Sequence, residues 1–133
     1  MEKNDFEKKC SIFFSEEQEF LEGQFFMGST FQLPADEETW GAVKALDPAT
    51  GEMKWEFRLY SPAWAGTLST AGGLVFAGDM EGYLIALDAE TGKGLWRFQT
   101  GTAIFTAPIT YMLDETQYVA IAAGSALYTF ALR

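Results

Sequence analysis

Seventeen residues of this chain recur 41 positions downstream. Gly41-Ala-Val-Lys-Ala-Leu-Asp-Pro-Ala-Thr-Gly-Glu-Met-Lys-Trp-Glu-Phe57 aligns with Gly82-Tyr-Leu-Ile-Ala-Leu-Asp-Ala-Glu-Thr-Gly-Lys-Gly-Leu-Trp-Arg-Phe98, and eight of the pairs are identical. Each copy reads as a strand, an Asp-x-x-Thr-Gly turn and a second strand, with glycine supplying the positive φ that the turn requires. A repeated hairpin with a fixed period restricts the chain to folds in which like units stack on one another.

A period near 40 residues is that of a four-stranded propeller blade. Upstream of the second copy, Gly66 to Ala71 and Leu74 to Asp79 read as two further strands, so four strands fit between Gly66 and Thr100. The first unit supplies candidate strands at Cys10 to Phe14, Gln24 to Gln32, Gly41 to Asp47 and Lys54 to Leu59. The third supplies Ile104 to Tyr111, Gln117 to Ala122 and Ala126 to Arg133, where Ala131-Leu132 takes the place of Ala86-Leu87. The expectation is an all-β chain of about eleven strands. It forms a single partial β-propeller over 1–133, with blades at 10–60, 66–100 and 104–133, the last without its outer strand.

Composition agrees and excludes other classes. The 133 residues are 48% hydrophobic and 16% aromatic, which suits packed strands. A formal charge of -10 opposes nucleic acid and anionic lipid, and no apolar run approaches the roughly 20 residues of a spanning helix. Neither a nucleic-acid partner nor membrane insertion is expected. The absence of histidine removes imidazole chemistry and histidine-ligated zinc. Cys10 is the only cysteine, so no internal disulfide can form, and it reads as a small buried hydrophobe. Met1-Glu2-Lys3-Asn4-Asp5 lacks the basic and apolar segments of a secretory signal. The acidic runs Glu16-Glu17-Gln18-Glu19 and Asp36-Glu37-Glu38 read as solvated loops.

The shared pattern Ala-x-Asp-x-x-Thr-Gly-x-x-x-Trp resembles the tryptophan docking motif of the pyrroloquinoline quinone (PQQ) dependent alcohol and methanol dehydrogenases. Ser69-Thr-Ala-Gly-Gly-Leu-Val-Phe-Ala-Gly78 also resembles that family, and the likeness runs from about Cys10 to Leu132. It implies a C-terminal portion of such a quinoprotein. On this resemblance Ala45, Asp47, Thr50, Gly51 and Trp55, with Ala86, Asp88, Thr91, Gly92 and Trp96, are structural. Each tryptophan is expected to stack on the Thr-Gly peptide of its own motif and on the alanine of the next, while each Asp bonds across its turn to Thr.

Ser61-Pro-Ala-Trp-Ala-Gly66 resembles a loop that lies beside the quinone in the family, which makes Trp64 and Gly66 the candidate cofactor-binding residues. An aromatic plug at the inner end of a blade is the alternative for Trp64. Ala122-Ala-Gly-Ser-Ala126 and Gly101-Thr-Ala-Ile-Phe-Thr106 read as connections between strands. No Asp or Glu of this chain matches the family's catalytic base or calcium ligands. The resemblance implies a periplasmic parent that oxidises an alcohol with PQQ and calcium, and a piece inactive alone. A non-catalytic scaffold is the competing reading. Expected partners are the remaining blades, or further copies meeting at open blade edges.

Overall fold

A computed structural model describes residues 12–14, 21–23, 26, 30–32 and 40–132. The chain divides into two compact units, Met1–Thr39 and Trp40–Arg133, and the first expected blade crosses their boundary. Cys10, both acidic runs and Arg133 lie outside the described residues. In the first unit, β1 (Ile12–Phe14) pairs antiparallel with β2 (Thr30–Gln32), Phe13 opposite Phe31. The earlier parts of the two strands expected there, from Cys10 and from Gln24, are likewise outside that range, apart from Phe26.

The second unit is built from antiparallel sheets whose strands follow chain order. β3 (Gly41–Leu46) and β4 (Met53–Leu59) form a hairpin, and β5 (Thr67–Ser69), β6 (Leu74–Gly78), β7 (Tyr83–Asp88) and β8 (Gly94–Gln99) form a four-stranded meander. β9 (Ile109–Leu113), β10 (Thr116–Ala123) and β11 (Ala126–Leu132) form a three-stranded one. The architecture is an unclosed β-propeller, and its last described sheet has three strands where the preceding one has four.

Both copies of the repeat fold alike for local reasons. The Asp47 carbonyl accepts from Gly51 N–H at 2.8 Å and the Asp88 carbonyl from Gly92 N–H at 2.9 Å. The glycines sit at φ +74° and +71°, a region that side-chain-bearing residues resist. Beside each turn the register slips by one, between Ala45 and Leu46 and between Ala86 and Leu87, which leaves the extra residue on the returning strand. This bulge re-aims the following side chain and sets Trp55 opposite Ala45 and Trp96 opposite Ala86.

Burial follows from stacking. On β7, Ile85 and Leu87 join Val43, Leu59 and Ala77, with Trp55 and Phe57 packed against them. Leu84 and Ala86 point the other way, joining Phe76, Ile104, Val119, Ile121 and Ala123, with Tyr128, Phe130 and Leu132 alongside. A strand covered on both faces needs a continuous apolar run, which explains Leu84-Ile-Ala-Leu87.

One expected strand starts later than its sequence suggests. Ile104 is not the head of β9; its side chain is fully buried and its N–H donates to the Asp79 carbonyl at 3.0 Å. That apolar residue anchors the connection to the second sheet, so the strand begins only at Ile109.

Candidate functional site

Two connections carry the chain from an outer strand to the inner strand of the next sheet: residues 60–66 between β4 and β5, and 100–108 between β8 and β9. Both enter their inner strands at the same end. Their paths are fixed by missing side chains. A Cβ on Gly41 would stand 2.7 Å from Ala63 N and from Ser61 O, so the first connection lies directly on the start of β3. A Cβ on Gly66 would stand 2.7 Å from the Ala107 Cβ, and one on Gly78 would stand 2.5 Å from Ile104 Cγ2 and 3.3 Å from the Ala65 Cβ. The two connections therefore touch each other through Gly66 and Ala107, and both rest on β6 at Gly78.

Trp64 projects from the first connection with 53% of its surface exposed. The same connection buries the Ser61 hydroxyl, which has no hydrogen-bond partner among the described residues. Gly66 has a packing reason of its own, because Ala107 occupies the space that a side chain would take. Shifting Trp64 by the 41-residue repeat lands on Phe105, which is 61% exposed on the second connection. Sequence reading passed over Phe105, although that shift identifies it.

The second connection is held by polar contacts that the sequence did not announce. Asp79 is buried, and its carboxylate accepts from Tyr83 N–H at 2.7 Å. The buried Thr100 hydroxyl lies 2.9 Å from the Gly82 carbonyl and 2.8 Å from that of Thr102. Tyr128 donates its hydroxyl to the Thr100 carbonyl at 2.7 Å, tying β11 to the second sheet.

The docking residues come together differently from the expectation. Trp55 does not lie on Thr50-Gly51: nothing stands within 4 Å of the place where a Gly51 Cβ would be. It lies on Gly92, whose Cβ would stand 2.6 Å from the ring, and its Nε1 donates to the Ala89 carbonyl at 3.0 Å. The alanine opposite it is Ala45 of its own hairpin. Trp55 thus sits beside the alanine of its own motif and reaches the turn of the following blade, the reverse of the expected pairing. Because Trp55 takes the Gly92 turn, Trp96 does not stack there. Trp96 is 42% exposed beside Phe130, ring centroids 5.1 Å apart, in a groove of about 740 Å³ that Ala86 and Ala131 also line.

Within the turns, Asp47 Oδ1 accepts from Ala49 and Thr50 N–H at 2.9 and 3.2 Å, and Asp47 pairs with Lys54 at 3.2 Å. Asp88 Oδ1 accepts from Glu90 and Thr91 N–H and from the Thr91 hydroxyl, at 3.1, 2.8 and 2.7 Å. The Ala49 N–H, then Lys54 and Thr50, hold the Asp47 carboxyl below its ordinary range; the Thr91 hydroxyl and N–H do the same for Asp88.

A second cleft, of about 600 Å³, lies between β4 and β7–β8 and mixes Arg58 and Arg97 with Asp79 and Glu81. Among the described residues, no three or more His, Cys, Asp or Glu side chains converge as a metal site. Nor is any helix among them long and apolar enough to cross a membrane.

Comparison with known proteins adds to this geometry. A family model described as outer membrane protein assembly factor BamB matches residues 40–131. The quinoprotein ethanol dehydrogenase of Pseudomonas aeruginosa is 40% identical over 114 residues, covering 84% of this chain and 18% of that protein. Methanol dehydrogenase [cytochrome c] subunit 1 of Paracoccus denitrificans is 41% identical over 108 residues, covering 77% of this chain and 17% of that one. Among solved structures, the quinohemoprotein alcohol dehydrogenase from Comamonas testosteroni superposes with a TM-score of 0.65 at 39% identity, covering 75% of this chain and 15% of that one. A europium-containing methanol dehydrogenase gives 0.61 at 40% identity over 65% of this chain and 15% of its own. The chain spans less than a fifth of the length of each of these relatives.

Proposed function

The chain belongs to the PQQ-type β-propeller family, in which it resembles quinoprotein alcohol and methanol dehydrogenases, and from that premise we propose that it is a C-terminal portion of such an enzyme, contributing blades and one edge of a quinone site. The observation that carries this reading is Trp64, a half-exposed indole on a connection pinned at Gly41, Gly66 and Gly78. Its planar face, held at the entrance to an inner strand, fits one side of a flat quinone. Gly66 and its neighbours supply backbone that reaches the same end of the sheets.

PQQ, when bound, accepts the electrons and hydrogen removed from an alcohol carbon, while the protein positions the reactants. The share of that work available here is orientation. On the family resemblance, in which no Asp or Glu of this chain matches them, the calcium ligands and the base that takes the alcohol proton belong to other parts of the parent. The parent is a periplasmic alcohol dehydrogenase of the quinoprotein kind, and these 133 residues are inactive by themselves.

A second reading, a non-catalytic scaffold, is favoured by the match of residues 40–131 to the family model described as an outer membrane protein assembly factor. Titrating the chain and its Trp64→Phe variant with PQQ separates the two. Quenching of tryptophan emission that is largely lost in the variant supports the quinone site, and equal traces for both proteins leave the scaffold. Alcohol oxidation by the purified chain supplied with PQQ and calcium would overturn the claim that it is inactive alone.

A further inference from the structure

The 41-residue shift that carries Trp64 onto Phe105 also carries Gly66 onto Ala107. These two equivalent residues are where the connections meet, since a Cβ on Gly66 would stand 2.7 Å from the Ala107 Cβ. Trp64 and Phe105, each two positions earlier, are therefore mounted side by side on successive connections, at the same end of the sheets. Their backbones are held alike. Trp64 stands between Ala63, whose N lies against Gly41 at the start of β3, and Ala65, whose Cβ rests on Gly78. Phe105 stands between Ile104, fully buried and bonded through its N–H to the Asp79 carbonyl, and Thr106, whose hydroxyl donates to the Ala122 carbonyl at 2.8 Å. Thr102, earlier in the same connection, packs on Gly124, whose Cβ would stand 2.9 Å from Thr102 Cγ2.

A phenyl ring that leaves 61% of its surface in water contributes little to folding. Single exposed apolar residues are ordinary, but two exposed rings at equivalent positions of touching connections make a common apolar patch. We propose that Phe105 is a second wall of the quinone site, giving PQQ an aromatic contact beside the one made by Trp64; this rests on the placement of Trp64 at that site. The ring is suited to the task because its backbone is fixed on both sides, so little freedom is lost when a ligand settles against it. Phenylalanine has neither a charge nor a hydrogen-bonding group. Its contribution is contact area and ring packing against a conjugated ligand, which raises affinity and leaves the polar contacts of the quinone to other residues.

Calorimetric titration of the purified chain with PQQ tests this. The expected result is binding that weakens roughly tenfold in Phe105→Ala, the upper end of what one aromatic contact supplies. It is unchanged in Met112→Ala, which removes a side chain of similar exposure, 64%, from β9. Tryptophan emission gives a second readout, one that a change in stability does not imitate: in the Trp64→Phe background, Phe105→Trp restores the quenching by PQQ that Trp64→Phe removes. Circular dichroism confirms that the variants are folded, and the Phe105→Trp readout serves if Phe105→Ala is not. No binding by the unaltered chain overturns both the quinone site and its second wall. Binding that Trp64→Phe weakens and Phe105→Ala leaves intact overturns the second wall alone, and so does quenching that Phe105→Trp fails to restore. Equal weakening in Phe105→Ala and Met112→Ala overturns it as well, because the loss is then not particular to position 105.

Discussion

The indole N–H of Trp55 donates to the carbonyl of Ala89 at 3.0 Å, crossing from one blade to the next over 34 residues of chain. The contact explains why the repeat keeps both ends of its motif: the tryptophan of one copy needs the Asp-x-x-Thr-Gly turn of the following one. Burial of an aromatic ring together with satisfaction of its polar atom stabilises a sheet-to-sheet junction without any loop to hold it.

Trp55→Ala removes both parts and is expected to destabilise the second unit by about 3 kcal/mol, the lower end of the range for losing a large aromatic side chain. Trp55→Phe keeps most of the packing and loses the hydrogen bond, leaving the Ala89 carbonyl without its donor, at about 1 kcal/mol. Urea unfolding of the two variants checks the order. Equal losses for both would mean that the bond to Ala89, and not the packing of the ring, sets the junction.

Acid should act on the same turns through Asp47 and Asp88. Both carboxyls are held below the ordinary 3.8, Asp47 first by the Ala49 N–H and Asp88 first by the Thr91 hydroxyl. A depressed folded-state pKa means that the stabilisation is complete above the unfolded value. It is lost as pH falls through the folded one, so the effect is confined to pH below the ordinary carboxylate value. The melting temperature is expected to fall on acidification through that window, less steeply in Asp88→Asn, which has no proton to gain at that position. Parallel curves for the variant and the parent would remove Asp88 from the account.

Much of this arrangement was legible in the sequence, for a physical reason. The 41-residue repeat located β3–β4 and β7–β8, and the turn glycines marked the hairpins, because strand alternation and positive φ are local properties. Which turn receives which tryptophan was not legible. The two turns share Asp, Thr and Gly, so the choice between Gly51 and Gly92 depends on how blades stack, which is a long-range property. Ile104 misled for a related reason. Its apolar character suits a strand as well as a buried anchor, and only the approach of Gly78 and the Asp79 carbonyl decides between them. Trp64 was found through family likeness, whereas its counterpart Phe105 shares only its place in the repeat.

The corrected seating of Trp55 gives a comparison with its own control. Gly51 and Gly92 occupy the same motif position at nearly the same φ, +74° and +71°, so alanine at either is strained by its backbone, at about 1 kcal/mol. They differ in what a new Cβ meets. At Gly51 nothing stands within 4 Å, whereas at Gly92 the Trp55 ring stands 2.6 Å away at Cδ2 and Cε3. That ring is packed against Val43, Ile85 and their neighbours and bonded to Ala89, so it cannot swing aside as the end of a flexible side chain can. Gly92→Ala should therefore add an overpacking cost of roughly 1–3 kcal/mol to the shared backbone strain, while Gly51→Ala shows the strain alone. In the Trp55→Ala background the two alanine substitutions should become equivalent, because the clash is gone. Urea unfolding of the single and double variants measures the coupling directly. A Gly92→Ala cost that persists at full size without the Trp55 ring would place the conflict in the turn itself and not at the blade junction.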